Sequence, residues 1–191
     1  MRIYGLKDEP RAGWVLRGIR DPESVADHSW GSALLCHLYA AEAGVDPSKS
    51  IAIALVHDVA EAITGDLPRR VDPGPELPSP AEKAKLERAA IEELFGGDGP
   101  WGQETRQLWE EYEASQSPEA QLARDMNLVD MCLQALLYER EGRYDPARLR
   151  DNFPRFDGLD EFFATARPRF ATAVGKRLFA EIEERYRALR R

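Results

Sequence analysis

Apolar residues recur along this chain at spacings of three and four, the period of a helix, and clusters of proline and glycine interrupt them. The first such stretch, 23–43, has Val25, Trp30, Leu34 and Leu38 as its predicted buried face and Gly44 as its stop. Pro47-Ser48 opens a second helix, predicted over 47–65, which carries Ile51, Ala54 and Leu55 and then Val56, Val59 and Ile63. Residues 67–80 hold Pro68, Pro73, Pro75, Pro78 and Pro80 and read as a loop long enough to have a functional role. Helices are predicted over 81–95 and 101–113, with glycines and a proline between them. A longer one, 117–142, carries the stripe Leu122, Met126, Val129, Leu133 and Leu136. Residues 143–158 read as irregular. A short helix over 159–166 and a last one over 169–189 follow, the latter with Phe170, Val174, Leu178 and Ile182 four residues apart. Residues 1–22 contain Pro10, Gly13, Gly18 and Pro22 and cannot form a long helix. No alternating strand pattern and no internal repeat is visible. The expected fold is all-α, one domain over 1–191, a helical bundle with a site between its helices.

Composition narrows the function. The chain has 191 residues, enough for one full core, and 43% hydrophobic content, as in an ordered globular protein. A net charge of -8 argues against a nucleic-acid polymer as partner, because that binding rests on excess Lys and Arg. It leaves room for a small phosphate in a local pocket. Cys36 and Cys132 fall in apolar helical patterns and read as buried thiols rather than a disulfide framework. No long uncharged apolar run and no signal peptide is apparent, so no membrane is expected and the cytoplasm is the default location.

The chemistry concentrates in Leu55-Val56-His57-Asp58-Val59-Ala60-Glu61-Ala62-Ile63-Thr64-Gly65-Asp66. Charged groups beside an apolar stripe are costly unless paired or bound to a metal. His57 and Glu61 are four apart and share a helix face. His28 lies on a different helix, and imidazole with carboxylate suits a divalent transition metal held between helices. A His-Asp pair alone is more often a surface ion pair or a helix cap than a ligand; Glu61, Asp66 and His28 are what shift the balance. The remaining histidine, His37, is out of phase with His28 and reads as a packing or surface residue.

The order Gly13-Trp14-Val15-Leu16-Arg17, Pro22-Glu23-Ser24-Val25-Ala26-Asp27-His28, Ala54-Leu55-Val56-His57-Asp58-Val59-Ala60-Glu61 and Gly65-Asp66 resembles the HD-domain metal-dependent phosphohydrolases. The match is to their 5'-deoxynucleotidase branch, with its YfbR-like and HDDC2-like members. It continues through Trp109-Glu110-Glu111-Tyr112-Glu113, Ser117-Pro118-Glu119-Ala120 and Met131-Cys132-Leu133-Gln134-Ala135. It covers about residues 6–141; residues 142–191, a C-terminal helical extension, carry no matching motif.

This resemblance implies a homodimer that hydrolyses deoxyribonucleoside 5'-monophosphates to deoxynucleoside and phosphate. It implies one divalent ion (Co, Mn, Mg, Zn or Fe) on His28, His57, Asp58 and a later aspartate. That last position is occupied here by Asn127, an amide that brings no negative charge. Asp130, one turn on, and Asp125, on the other side of the helix, are the weaker substitutes. Glu61 matches the catalytic glutamate that orients or deprotonates the attacking water, or else supports a ligand histidine. Asp66 matches an aspartate that contacts substrate and assists the leaving group. Trp14 matches a position lining the nucleotide site, Arg17 is a candidate phosphate ligand, and Arg69 is a second. Where one branch has an arginine before the tryptophan, this chain has Gly13, so that contact is lost or falls to Arg11, Arg17 or Arg20. Asn127 also keeps a second reading open: a nucleotide-binding or regulatory protein with weakened catalysis.

Overall fold

The computed structural model describes residues 2–71, 78–97, 99–148 and 156–190. The predicted loop 67–80 and the irregular stretch 143–158 therefore lie partly outside the described residues. Among the latter the architecture is helical, without a named strand. A 3-10 turn, Arg2–Lys7, leads to α1 (Ala12–Leu16), α2 (Val25–Ala43), α3 (Pro47–Val56), α4 (Glu61–Thr64), α5 (Pro80–Phe95) and α6 (Pro100–Ala114). The long α7 (Pro118–Arg140), the short α8 (Asp160–Ala166) and α9 (Ala173–Leu189) complete it.

The centre is α7. Its stripe Leu122, Met126, Val129, Cys132 and Ala135 is wholly buried, and α2, α3 and α9 pack around it. A smaller cluster of Val59, Ala60, Ala90, Ile91, Phe95 and Trp109 joins the α4 region to α5 and α6. Cys36 and Cys132 are both free and buried.

Helix α2 starts at a capping box. The Ser24 hydroxyl accepts from the Asp27 N–H, and the Asp27 carboxylate accepts from the Ser24 N–H. It stops at Gly44 in the left-handed conformation, as predicted. Its buried face is not the predicted one. Val25 is buried, but Trp30, Leu34 and Leu38 are exposed at 66%, 39% and 58%. The inner face is His28, Ser29, Ser32, Ala33, Cys36 and Ala40. Small residues there let α2 approach α3 and α7 closely, and the large apolar side chains are left outside.

The helix predicted over 47–65 is broken at the chemistry. His57 Nδ1 donates to the Ala54 carbonyl at 2.6 Å. An unbroken helix would give that carbonyl to the Asp58 N–H. The backbone then tightens to bonds three residues apart: Val59 to Val56, Glu61 to Asp58 and Ala62 to Val59. This turn separates α3 from α4 and redirects the side chains of 57–61.

Candidate active site

His28 comes from α2, and His57 and Asp58 from the turn between α3 and α4. One ligand atom from each lies within 4.8 Å of the others. Asp58 Oδ2 is 3.0 Å from His57 Nε2 and 3.9 Å from His28 Nε2. Both Nε2 atoms are buried without a hydrogen-bond partner. Both Nδ1 atoms are taken: His57 by Ala54 O, and His28 by Asp130 Oδ2 at 2.7 Å. With Nδ1 so engaged, each ring keeps Nε2 free for a metal, the arrangement in which a backbone carbonyl or carboxylate orients a ligating imidazole. Burial, the Arg11 charge and the other histidine hold His28 down to about 3, so its ring is neutral, as ligation requires. Burial pushes Asp58 up, but His57 and Arg11 outweigh it and hold the carboxylate well below its ordinary range. Two orphaned nitrogens and an ionised carboxylate are a donor set that fits a divalent ion.

Asp130, weighed above as a substitute ligand, instead stands behind His28 and orients it. Asp125 faces away. It accepts from the Ala171 and Thr172 N–H groups and the Thr172 hydroxyl, and so ties α7 to the start of α9. Asn127 lines the same cavity as His57 and Asp58. Its Nδ2 donates to the Tyr112 hydroxyl at 2.6 Å, which leaves the amide oxygen as the atom it can offer a cation.

Glu61 is buried, and its Oε2 has no hydrogen bond. Burial and the neighbouring Asp58 and Asp66 carboxylates raise it well above its ordinary value. Arg11 is the shared counterion, with Nη1 3.2 Å from Asp58, 3.7 Å from Asp66 and 3.9 Å from Glu61. Asp66 also accepts from the Ala12 N–H at 2.7 Å, which fastens α1 to the end of α4. Of Arg11, Arg17 and Arg20, both Arg11 and Arg17 line the cavity, and Arg11 is the one that faces these carboxylates.

Trp14 lines the cavity but is only 1% exposed. Its Nε1 donates to Glu23 at 2.8 Å, Tyr138 meets it edge-on, and Phe162 of α8 stacks on it with centroids 3.9 Å apart. Phe162 reaches it across Gly13, where a Cβ would stand 3.2 Å from the phenyl edge. The indole thus backs Phe162, and the ring next to the cavity is Phe162. Arg17 is buried as well, with Nη2 donating to the carbonyls of Phe156 and Gly158 at 3.0 and 2.7 Å. That arginine anchors the stretch before α8. Arg69 is exposed at the cavity wall, and Arg70 grips Glu161 of α8 through two bonds of 2.9 and 2.6 Å. His37 is exposed.

Several cavity residues were not singled out from the sequence: Lys83, Arg124, Glu161, Phe162 and Arg169. Three of them lie in the stretch without motifs. Helical periodicity there pointed to packing and said nothing of a cavity.

The fold and this site define an HD-domain protein: the HD domain family matches residues 3–154, and the chain belongs to that family. Within it the chain is HDDC2-like. It is 38% identical to the 5'-deoxynucleotidase HDDC2 of Danio rerio, covering 83% of this chain and 76% of that one. It is 34% identical to the 5'-deoxynucleotidase HDDC2 of Dictyostelium discoideum, covering 93% and 91%. A crystal structure of a protein from Pyrococcus horikoshii OT3 superposes with a TM-score of 0.72 at 31% identity over 97% of this chain and 95% of that one. The fold is also shared by a cyanophage S-2L HD phosphohydrolase bound to dA and one catalytic Zn2+, with a TM-score of 0.56 at 20% identity over 99% and 95%. No described helix is long and apolar enough to cross a membrane.

Proposed function

We propose that this chain is a metal-dependent phosphomonoesterase that converts deoxyribonucleoside 5'-monophosphates to deoxynucleoside and phosphate. The observation that carries the reading is the pair of buried, unbonded Nε2 atoms that lie with an Asp58 oxygen within 4.8 Å of one another, at the cavity that His57, Asp58 and Glu61 line. The relatives named 5'-deoxynucleotidase support the substrate class.

His28, His57 and Asp58 hold the divalent ion, with the Asn127 oxygen as fourth donor. Bound there, the ion supplies Lewis acidity toward a phosphoryl oxygen and makes water a stronger acid. Glu61 is the general base. Its Oε2 is buried in the cavity without a hydrogen bond, and as the ionised carboxylate it takes a proton from the attacking water as the new P–O bond forms. The ester P–O bond breaks and the 5' oxygen leaves with a proton from Asp66 or solvent. No serine or cysteine nucleophile is needed. Phe162, backed by Trp14, is the wall for the base, and an aromatic face there contributes about 1–3 kcal/mol by stacking.

The chain acts as a homodimer through the exposed Trp30, Leu34 and Leu38 of α2, a large apolar stripe of a kind that marks contact surfaces. Leu34→Arg then shifts the sedimentation coefficient to that of a monomer, and a wild-type monomer contradicts the dimer. Phosphate release from deoxy- and ribonucleoside monophosphates with Co, Mn, Mg, Zn or Fe tests the activity. Release from the deoxy series is expected. No release with any of these ions leaves a nucleotide-binding protein.

A further inference from the structure

Most cations that line the cavity are committed. Arg11 faces Asp58, Glu61 and Asp66. Lys83 donates to Leu67 O at 2.6 Å and pairs with Glu87 at 3.4 Å. Arg70 is held by Glu161, and Arg124 donates to Tyr112 O at 2.8 Å and pairs with Glu113 at 3.1 Å. Arg69 and Arg169 differ: among the described residues neither has a hydrogen-bond or ion-pair partner. Arg169 closes the 3-10 turn Arg167–Arg169 just before α9 and is partly buried.

An unpaired cation removed from water is costly. Burial, then the charges of Arg69 and Arg124, push the Arg169 guanidinium down to about 10, so each of these two arginines repels Arg169. Arg169 acts on Tyr112, whose hydroxyl holds the Asn127 amide. Asn127, being neutral, cancels none of this charge. Of the cations that line the cavity, Arg11 is thus matched by three carboxylates, and the uncommitted positive charge is that of Arg69 and Arg169.

We infer that Arg169, assisted by Arg69, binds the phosphate of the substrate, a role that rests on the nucleotide-hydrolase reading. The planar guanidinium fork matches two phosphate oxygens. The occupant is a phosphate dianion, whether free or esterified to a nucleoside.

Calorimetry on the metal-loaded Glu61→Gln protein, which turns dAMP over about 10²- to 10⁴-fold more slowly, tests this with inorganic phosphate, dAMP and deoxyadenosine as probes. Arg169→Ala in that background weakens dAMP and inorganic phosphate by about 10- to 100-fold, the range of a charge-assisted hydrogen bond, and leaves deoxyadenosine unchanged. Arg169→Lys, which keeps the charge but loses the fork, and Arg69→Ala at an exposed position each give a smaller loss. Equal dAMP affinity with and without Arg169 overturns the inference alone. If Arg169→Ala does not fold, unchanged dAMP affinity in both milder variants overturns it. If the Glu61→Gln parent binds neither dAMP nor phosphate, the nucleotide reading falls and the inference with it.

Discussion

The Asp130 carboxylate occupies the space that a side chain at Gly31 would need: a Cβ there would collide with it. Asp130 holds Nδ1 of His28, so a glycine on α2 sets the orientation of a histidine one turn before it. Gly31→Ala therefore displaces Asp130 and frees the His28 ring. Loss of such an orienting partner costs about 10- to 100-fold in metal affinity. Titration of the apo protein with Zn or Co measures it. Unchanged affinity in Gly31→Ala and in Asp130→Asn would remove Asp130 from the site.

Asn127 is joined to Tyr112 through its amide nitrogen. An aspartate is accommodated there because the tyrosine hydroxyl can donate to it. Asn127→Asp restores a charged oxygen and tightens the binding of a divalent cation. Equal or weaker metal affinity contradicts a ligand role for position 127.

Arg17 separates anchoring from phosphate binding. Its Nη2 bonds two backbone carbonyls in a buried setting. Arg17→Ala leaves those acceptors unpaired and lowers stability by about 1–3 kcal/mol. Denaturant unfolding reads this, and inorganic phosphate affinity at low temperature stays near wild type. The opposite pattern, intact stability with weakened phosphate binding, makes Arg17 a substrate contact.

The helices were legible because apolar periodicity and proline or glycine stops are local signals; the ends of α2, α5 and α7 lie within a few residues of their predicted positions. The inner face of α2 was not. Trp30, Leu34 and Leu38 form a helical stripe as good as any buried one, and only the packing of α3 and α7 against small residues turns it outward. The break after Val56 was hidden for a different reason: it depends on a side chain taking a backbone carbonyl. Resemblance carried the roles proposed for His28, His57, Asp58 and Glu61. Phe162 and Arg169 join the cavity through tertiary packing across Gly13 and beside Tyr112, which no spacing along the chain records.

The most direct test pairs metal content with phosphate release in the wild type and in Glu61→Gln. Glu61 is outside the three converging ligands, yet its carboxylate is buried in the same cavity. The wild type is expected to carry one divalent ion and to release phosphate from deoxyribonucleoside 5'-monophosphates. Glu61→Gln is expected to carry the same ion and to release phosphate about 10²- to 10⁴-fold more slowly, the usual contribution of a general base. Loss of the ion from Glu61→Gln, or an undiminished rate with the ion in place, contradicts the account.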